Sequence, residues 1–247
     1  MVPILLPYHL DEHLPELSVP LRPEVTVRRE LPAGDTWARM TALYQALTEE
    51  VAGLAARGQV PVVQSGDGTA SLGVVAGLQR AGLEPSVVWF DGHGDVQTLE
   101  TTASGYLGGF PLRIIAGYRP ELISTAIGLR PVPEERIVLV DARDLDPPEQ
   151  QYLESAAIRH VTAGDLAADD VPDNPVYLHI DFDVIDAGEL PGLLYPAADG
   201  PTVDTVAAAV RRVMATGRVA AVGLGCTWRS DADDPVRRVE AVVAALG

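Results

Sequence analysis

The chain contains a single cysteine, Cys226, so it cannot form a disulfide framework within itself. A chain without disulfides is typical of reducing compartments, and we expect a cytoplasmic protein.

Basic residues are also scarce, with 18 lysines and arginines against 35 aspartates and glutamates and a formal net charge of −17. This charge argues against nucleic acid and anionic membrane surfaces as partners, because both select basic patches. No apolar run approaches the length of a membrane span. The apolar start, Met1 to Leu6, is too short for a signal peptide and lacks its basic residues.

Short apolar runs alternate with helical patterns along the chain. This alternation, without a repeat or a break in composition, predicts one domain over residues 1–247. We expect a doubly wound, mainly parallel α/β sheet of about eight strands with helices on both faces. The predicted strands are 3–7, 24–28, 60–63, 86–90, 136–140, 158–161, 176–180 and 219–224. The predicted helices are 36–57, 70–81, 111–117, 147–157, 203–215 and 235–246, and 11–23 is predicted to be a loop.

Two of the predicted strands end in closely spaced carboxylates. Asp91, His93 and Asp95 follow strand 86–90 at every second position, and Asp181 and Asp183 follow strand 176–180. Ligands bind where the carboxyl ends of parallel strands share one edge, so we expect these five side chains to meet. A capping role would explain the first cluster alone, but buried carboxylates from two clusters need a cation. The pattern therefore predicts a divalent metal site, with manganese or magnesium favoured and zinc, iron or cobalt as alternatives for a single ion.

Four segments of the sequence resemble motifs of the arginase/ureohydrolase family. Residues 91–95 resemble Asp-Ala-His-x-Asp, and residues 181–186 resemble Asp-x-Asp-x-x-Asp. Residues 104–111 are similar to Ser-Gly-Asn-Leu-His-Gly-Met-Pro, and residues 143–147 are similar to Arg-Asp-Val-Asp-Pro. The resemblance runs from about Val60 to Gly225 with matching order and spacing. Residues 91–95, 100–102 and 105–109 resemble in particular the divergent bacterial members that act on hydroxylated arginine. An arginase-like α/β/α sandwich is the fold that this resemblance implies.

The resemblance also implies a metal cofactor and ligand roles. Family members hydrolyse guanidino-type C–N bonds with a two-manganese cluster, which activates a water molecule as the nucleophile. By this resemblance Asp91 and Asp181 would bridge the two ions, while His93 and Asp183 would complete one site. Asp95 would belong to the other site. Asp95 and Asp183 are also predicted to be catalytic residues.

The expected substrate is a small guanidino-type molecule. Ser104 and Asp146 match positions that hold the amino-acid end of the substrate in arginases. Ser104 would bind its carboxylate and Asp146 its ammonium group. Cys226 falls near an acidic residue that pairs with the guanidinium in the family, so we also place it at the substrate. We further expect a homo-oligomer.

The sequence departs from the family motifs at three positions. Gly68 stands where a histidine ligand of the first metal is expected, Gly108 stands at the proton-shuttle histidine, and Cys226 replaces the acid. We therefore expect one impaired metal site and one tightly bound manganese ion, with other divalent metals possible. The five retained ligands favour a hydrolase of guanidino, hydroxyguanidino or amidino C–N bonds. The alternative is a non-catalytic arginase-fold protein that binds a ligand or partner.

Two histidines outside these motifs have simpler interpretations. His9 follows the first predicted strand, and we expect it to be a solvated loop histidine rather than part of the active edge. His179 lies within strand 176–180, two residues before Asp181, and we expect it to belong to the core or to support a metal ligand.

Overall fold

A parallel sheet of eight strands forms the centre of the molecule. The computed structural model describes residues 1–247. Its ten strands are β1 (Val2–Leu6), β2 (Tyr8–His9), β3 (Glu12–His13), β4 (Val25–Thr26), β5 (Pro61–Ser65), β6 (Ser86–His93), β7 (Ile137–Asp144), β8 (Arg159–Val161), β9 (Val176–Asp181) and β10 (Val219–Gly225). The sheet order is β4-β1-β5-β10-β9-β6-β7-β8, and every neighbouring pair is parallel. Strands β2 and β3 form a separate antiparallel hairpin. The predicted eight-stranded α/β fold is confirmed, and its sheet is parallel throughout.

Eight α-helices accompany the sheet. They are α1 (Thr36–Ala56), α2 (Ser71–Arg80), α3 (Pro111–Ile115), α4 (Ser124–Ile127), α5 (Pro147–Ser155), α6 (Val203–Met214), α7 (Pro235–Arg238) and α8 (Glu240–Ala244). The side chain of Asp35 caps α1 by accepting a hydrogen bond from the N–H of Ala38 at 2.9 Å. Helices α1 to α4 pack in one apolar cluster, and α6 and α8 pack in another. No helix combines the length and the apolar character that a membrane crossing requires.

The two apolar clusters lie on opposite faces of the sheet. Along β6, Val87 and Trp89 belong to the cluster with α1 to α4, while Val88 and Phe90 belong to the cluster with α6 and α8. Successive side chains of a strand point to opposite faces, so both faces of β6 are buried. This burial on both sides explains why the central strands are continuous apolar runs rather than alternating ones.

All eight predicted sheet strands exist, and the differences concern their ends and the loops. Strands β6 and β7 extend beyond the predicted ends, because Asp91 pairs with Asp141 and His93 with Asp144 across an irregular ladder. The hairpin β2–β3 begins before the segment predicted to be a loop and continues into it. Its geometry depends on distant partners, since Gly66 donates its N–H to the carbonyl of Tyr8 at 2.9 Å. Helix α4 was not predicted, and the predicted helix 235–246 is divided at Val239 into α7 and α8.

The topology places four strand ends side by side. Strands β5 and β6 follow each other along the chain, but β10 and β9 lie between them in the sheet. The order of the strands therefore changes direction here, and such a switch point opens a crevice at the carboxyl ends of the strands. Both predicted acidic clusters come from this region, one from β6 and one from β9.

Candidate metal centre

The two acidic strand ends converge on one site. One ligand atom each from Asp91, His93 and Asp183 lies within 4.8 Å of the other two. Nδ1 of His93 lies 3.1 Å from Oδ2 of Asp183 and 3.4 Å from Oδ1 of Asp91. A second group of the same tightness consists of Asp91, His179 and Asp181. Asp91 belongs to both groups, so the two potential ion positions are adjacent.

Hydrogen bonds and close packing hold the two carboxylates that would bridge the ions. The indole N–H of Trp89 donates to Oδ2 of Asp91 at 3.0 Å, and the hydroxyl of Thr227 donates to Oδ1 of Asp181 at 2.8 Å. Gly225 leaves room for Asp181, because a Cβ atom at residue 225 would lie 2.5 Å from Oδ2 of Asp181. Donors behind metal-binding carboxylates fix their orientation, as these do.

Burial and mutual repulsion make this cluster electrostatically demanding. Burial, followed by the charges of Asp91 and neighbouring aspartates, raises the pKa values of Asp95 and Asp181 well above their usual range. Burial and the charge of Asp91 likewise raise the pKa of Asp183 to about 7. Burial opposes the charge of His93, but Asp183 and Asp91 outweigh it and raise the pKa of His93 to about 12. Burial would also raise the pKa of Asp91, yet its hydrogen bonds and the charge of His93 lower it. Without a cation the carboxylates must share protons, so the donor set fits a divalent ion.

An acidic pocket of about 480 Å³ surrounds these groups. Ser104 and Asp146, the predicted substrate-binding residues, line this pocket together with the metal-type ligands. The side-chain amide of Gln97 donates to Oδ2 of Asp146 at 2.8 Å and fixes that carboxylate. The lining of the pocket contains neither lysine nor arginine. It contains seven carboxylates, those of Asp67, Asp91, Asp95, Asp146, Glu149, Asp181 and Asp183. Such a pocket attracts cations, both metal ions and positively charged groups of a small molecule.

Gly108 makes room for the ring of Tyr106. A Cβ atom at residue 108 would lie 2.2 Å from Cζ of Tyr106, so no larger residue fits while this ring keeps its place. The hydroxyl of Tyr106 lies 3.0 Å from Nε2 of His9, and Nδ1 of His9 lies 2.9 Å from the carbonyl oxygen of Gly66. His9 is half-buried, and its contact with Tyr106 connects it to the pocket wall. It is thus not the solvated loop histidine that the sequence predicts.

Gly68 faces His179 across a small space. A Cβ atom at residue 68 would lie 3.5 Å from Nε2 of His179 and 3.3 Å from Oδ2 of Asp95. The His179 ring stacks on Trp89 with 3.7 Å between ring centroids. Burial lowers the pKa of His179 to about 4. The imidazole therefore borders the space that a side chain at residue 68 would enter.

Cys226 is not part of the pocket wall, and its predicted place at the substrate is corrected. It lies in the apolar cluster with α6 and α8, and its Sγ is 3.8 Å from the carbonyl oxygen of Leu224. Burial raises the pKa of its thiol. Side chains alternate at the end of β10, so the neighbouring Thr227 lines the pocket instead.

Several supporting residues were not recognised in the sequence. The carboxylate of Glu149 is buried, lines the pocket, and accepts hydrogen bonds from the N–H groups of Val96 at 3.2 Å and Asp146 at 3.1 Å. The spacing of Asp146 at the N-cap and Glu149 in the first turn of α5 is the capping-box signal that could have identified it. Arg143 donates to the carbonyl oxygens of Val184 at 3.0 Å and of residue 198 at 2.7 Å, and so ties down the loop after β9.

Comparison with known proteins agrees with this geometry. The Arginase family profile matches residues 8–224. The chain is 34% identical over 165 residues to the N(omega)-hydroxy-L-arginine amidinohydrolase of Streptomyces lavendulae, a match covering 65% of this chain and 57% of that protein. It is 26% identical over 211 residues to the arginase of Bacillus subtilis, covering 78% of this chain and 71% of that one. The first match thus spans little more than half of the relative's length.

Solved structures share the fold over nearly the whole chain. The native arginase of Bacillus caldovelox superimposes with a TM-score of 0.84 at 21% identity, covering 99% of this chain and 97% of that chain. The formimidoylglutamase of Bacillus subtilis gives a TM-score of 0.73 at 15% identity, covering 99% and 85%. At these identities the likeness establishes the fold and leaves the reaction to the site.

Proposed function

Because this chain belongs to the arginase family, we propose that it is a metal-dependent hydrolase of a guanidino, hydroxyguanidino or amidino C–N bond. One observation carries the proposal: metal-type ligands from two strand ends converge in an acidic pocket that also contains Ser104 and Asp146. The relatives named hydroxyarginine amidinohydrolase and arginase support this class of substrate.

The proposed metal ligands are Asp91, His93, Asp95, Asp181 and Asp183, and the proposed ion is manganese. Carboxylates together with imidazole suit this ion. When bound, divalent ions would supply an activated water and polarise the carbon under attack. Asp95 and Asp183 remain the proposed catalytic residues, because both carboxylates line the pocket in which the reacting carbon would lie.

The substrate would be held at its far end by two side chains. Asp146, fixed by Gln97, would pair with an ammonium group, and the hydroxyl of Ser104 would donate to a carboxylate. With Cys226 buried among apolar side chains, no acid stands at that position to pair with a guanidinium. This difference favours a less basic group at the reacting end, such as a hydroxyguanidine.

Tyr106 and His9 are placed to handle the proton of the leaving nitrogen. A carbonyl oxygen only accepts, so Nδ1 of His9 donates to Gly66, and Nε2 of the neutral ring then accepts from the Tyr106 hydroxyl. The phenolic oxygen keeps a lone pair for an N–H of the substrate. When the half-buried His9 takes up a proton from solvent the bond reverses; the Tyr106 hydroxyl would then give its proton to the departing nitrogen and receive the His9 proton in return.

The activity is tested with a small panel of substrates. Manganese-loaded protein is incubated with N-hydroxyarginine, arginine and agmatine, and urea, hydroxyurea and the amine product are measured by mass spectrometry. We expect turnover of at least one compound, which chelation or the Asp183→Asn substitution abolishes. Full metal loading with no turnover of any of the three would instead favour the non-catalytic alternative, a protein that binds a ligand or partner.

Two further expectations from the sequence remain proposals. The single cysteine is free and buried, which supports a reducing, cytoplasmic location. Association into a homo-oligomer is tested by the mass of the purified protein in size-exclusion chromatography with light scattering.

A further inference from the structure

His179 carries a buried ring nitrogen that has nothing to bond to. The residue is 2% exposed, and its Nε2 has no hydrogen-bond partner. A buried polar atom that gives up water without a replacement partner destabilises the fold. An atom left in this condition next to Gly68, a residue of the pocket wall, indicates a ligand that binds there.

The rest of the imidazole is held as a metal-binding histidine is held. Nδ1 lies 3.3 Å from the hydroxyl of Ser71 and 3.4 Å from that of Tyr177, and these two hydroxyls are bonded to each other at 2.7 Å. When Nδ1 donates to them, the lone pair is left on Nε2. Stacking on Trp89 fixes the plane of the ring. Metal ligands are oriented in this way, with one ring nitrogen hydrogen-bonded and the other directed at the ion.

His179 belongs to a group of possible ligands. His179 offers a ring nitrogen within 4.8 Å of carboxylate oxygens of Asp91 and Asp181, the two proposed bridging ligands. Nε2 and Oδ2 of Asp95 lie within 3.5 Å of one point, the place that a Cβ atom at residue 68 would take. Asp91, Asp181 and Asp95 are the carboxylates proposed for the first metal site. In this site Gly68 stands where the family motif has a histidine ligand.

We propose that His179 supplies the imidazole ligand of the first metal site, entering from β9 instead of from the turn after β5. Gly68 then keeps open the space next to Nε2, which a larger side chain would fill. The first site is rebuilt rather than impaired, and the protein holds two ions. This inference rests on the proposed function for the presence of metal, and it replaces the expectation of one tightly bound ion.

Metal content of the full-length protein tests the inference directly. After loading with manganese and dialysis, we expect about two ions per chain in the parent protein and about one in His179→Phe, because one complete site remains. Phenylalanine keeps a ring against Trp89, so loss of packing is small. The matched control is His160→Phe, which changes an exposed histidine on β8 and should keep both ions.

A transplanted ligand provides a second test. In the double variant Gly68→His and His179→Ser, the imidazole returns to the turn after β5 while the ring on β9 is removed. We expect this variant to regain the ion that His179→Phe loses. Equal manganese content in the parent and His179→Phe would overturn the inference, as would one ion per chain in the parent. A parent protein that binds no manganese would overturn the proposed function itself.

A measurement on the parent protein needs no variant. Pulsed electron paramagnetic resonance of the manganese-loaded protein detects the nitrogens that bind the ions. We expect coupling to two imidazoles, those of His93 and His179, and a spectrum of interacting ion pairs. Coupling to one imidazole only would overturn the assignment of His179, even if the variants fail to fold.

Discussion

Two glycines replace histidines of the family motif, and in both places a ring occupies or borders the space. Tyr106 fills the volume next to Gly108, and His179 borders the volume next to Gly68. The Tyr106 ring fills the space at the first position, and the open space at the second adjoins the proposed metal site. At the scale of single residues these contacts agree with the proposal of a hydrolase whose pocket differs from the family motif.

The fit between Gly108 and Tyr106 predicts a strong coupling between the two positions. Gly108→His alone forces the Tyr106 ring from its place and should cost about 1–3 kcal/mol of stability, the usual range for overpacking. Combining it with Tyr106→Asn removes the collision and should recover most of this loss. The free energies of unfolding of both single variants and the double variant are measured with urea. Strictly additive effects would contradict the proposed packing.

His9 provides a second prediction at this scale. His9→Ala should lower kcat about 10²-fold if the ring transfers a proton through Tyr106, the lower range of general acid–base catalysis. Metal content and KM should change little, because His9 binds neither the ion nor the far end of the substrate. Free imidazole should restore part of the rate. An unchanged kcat would remove His9 from the reaction.

At the scale of elements, the site depends on β6 and β9 lying side by side with their ends in register. The ladder between β6 and β7 continues through Asp91 and His93, and Phe182–Val184 forms a short 3₁₀ turn directly after β9. Asp183 accepts the N–H of Gly92 at 2.9 Å, which joins the two loops. The proposed ligands are thus held by backbone that is itself paired, as precise metal geometry requires.

Arg143 at the end of β7 is the main support of the loop after β9. Its guanidinium donates to the carbonyl oxygens of Val184 and residues 183, 197 and 198, and it lies 3.3 Å from the carboxylate of Asp141. Arg143→Ala removes this donor from all four carbonyl oxygens, of which that of residue 197 still accepts from the N–H of Ala187 at 3.1 Å, and should cost about 1–3 kcal/mol. Asp183 should also become less ordered, so manganese affinity should fall.

Thermal melting and manganese titration of this variant provide the measurement. Arg143→Lys should not rescue it, because a single ammonium group cannot reach carbonyls that the planar guanidinium reaches together. Arg130→Ala is the control, since that arginine forms an exposed ion pair with Glu84. Equal manganese affinity in the parent and Arg143→Ala would show that the loop is ordered without this support.

At the scale of the whole molecule, the negative charge gathered in the pocket links metal binding to stability. The raised pKa values of Asp95, Asp181 and Asp183 mean that the metal-free fold is more stable when these groups are protonated. That contribution is present below their unfolded pKa near 4 and is lost as the pH rises to about 7 and beyond. The lowered pKa values of Asp91 and His179 act in the opposite direction. A cation that binds the native state alone replaces the protons and stabilises the fold.

Manganese should therefore stabilise the protein more at high pH than at low pH. The difference in Tm between samples with manganese and with chelator should be larger at about pH 8 than at about pH 5.5, because ligands must lose protons to bind the ion. Differential scanning fluorimetry measures both series. In Asp183→Asn the difference should shrink at both values. A Tm difference independent of pH would argue against these carboxylates as ligands.

The sequence by itself determined the sheet and the convergence of most of the proposed ligands. Alternating apolar runs and helical patterns are local signals, and the carboxyl ends of parallel strands meet by topology, so Asp91 and Asp181 could be placed together before any contact was known. Only the tertiary structure decided the rest. His179 and Gly68 lie far apart in the sequence, as do His9 and Tyr106, and no local pattern predicts that these pairs adjoin. Thr227 lines the pocket where Cys226 was expected, and this difference has a related cause. A one-residue difference at the end of a strand turns a side chain from the pocket to the core, and only the packed strand shows which residue faces which way.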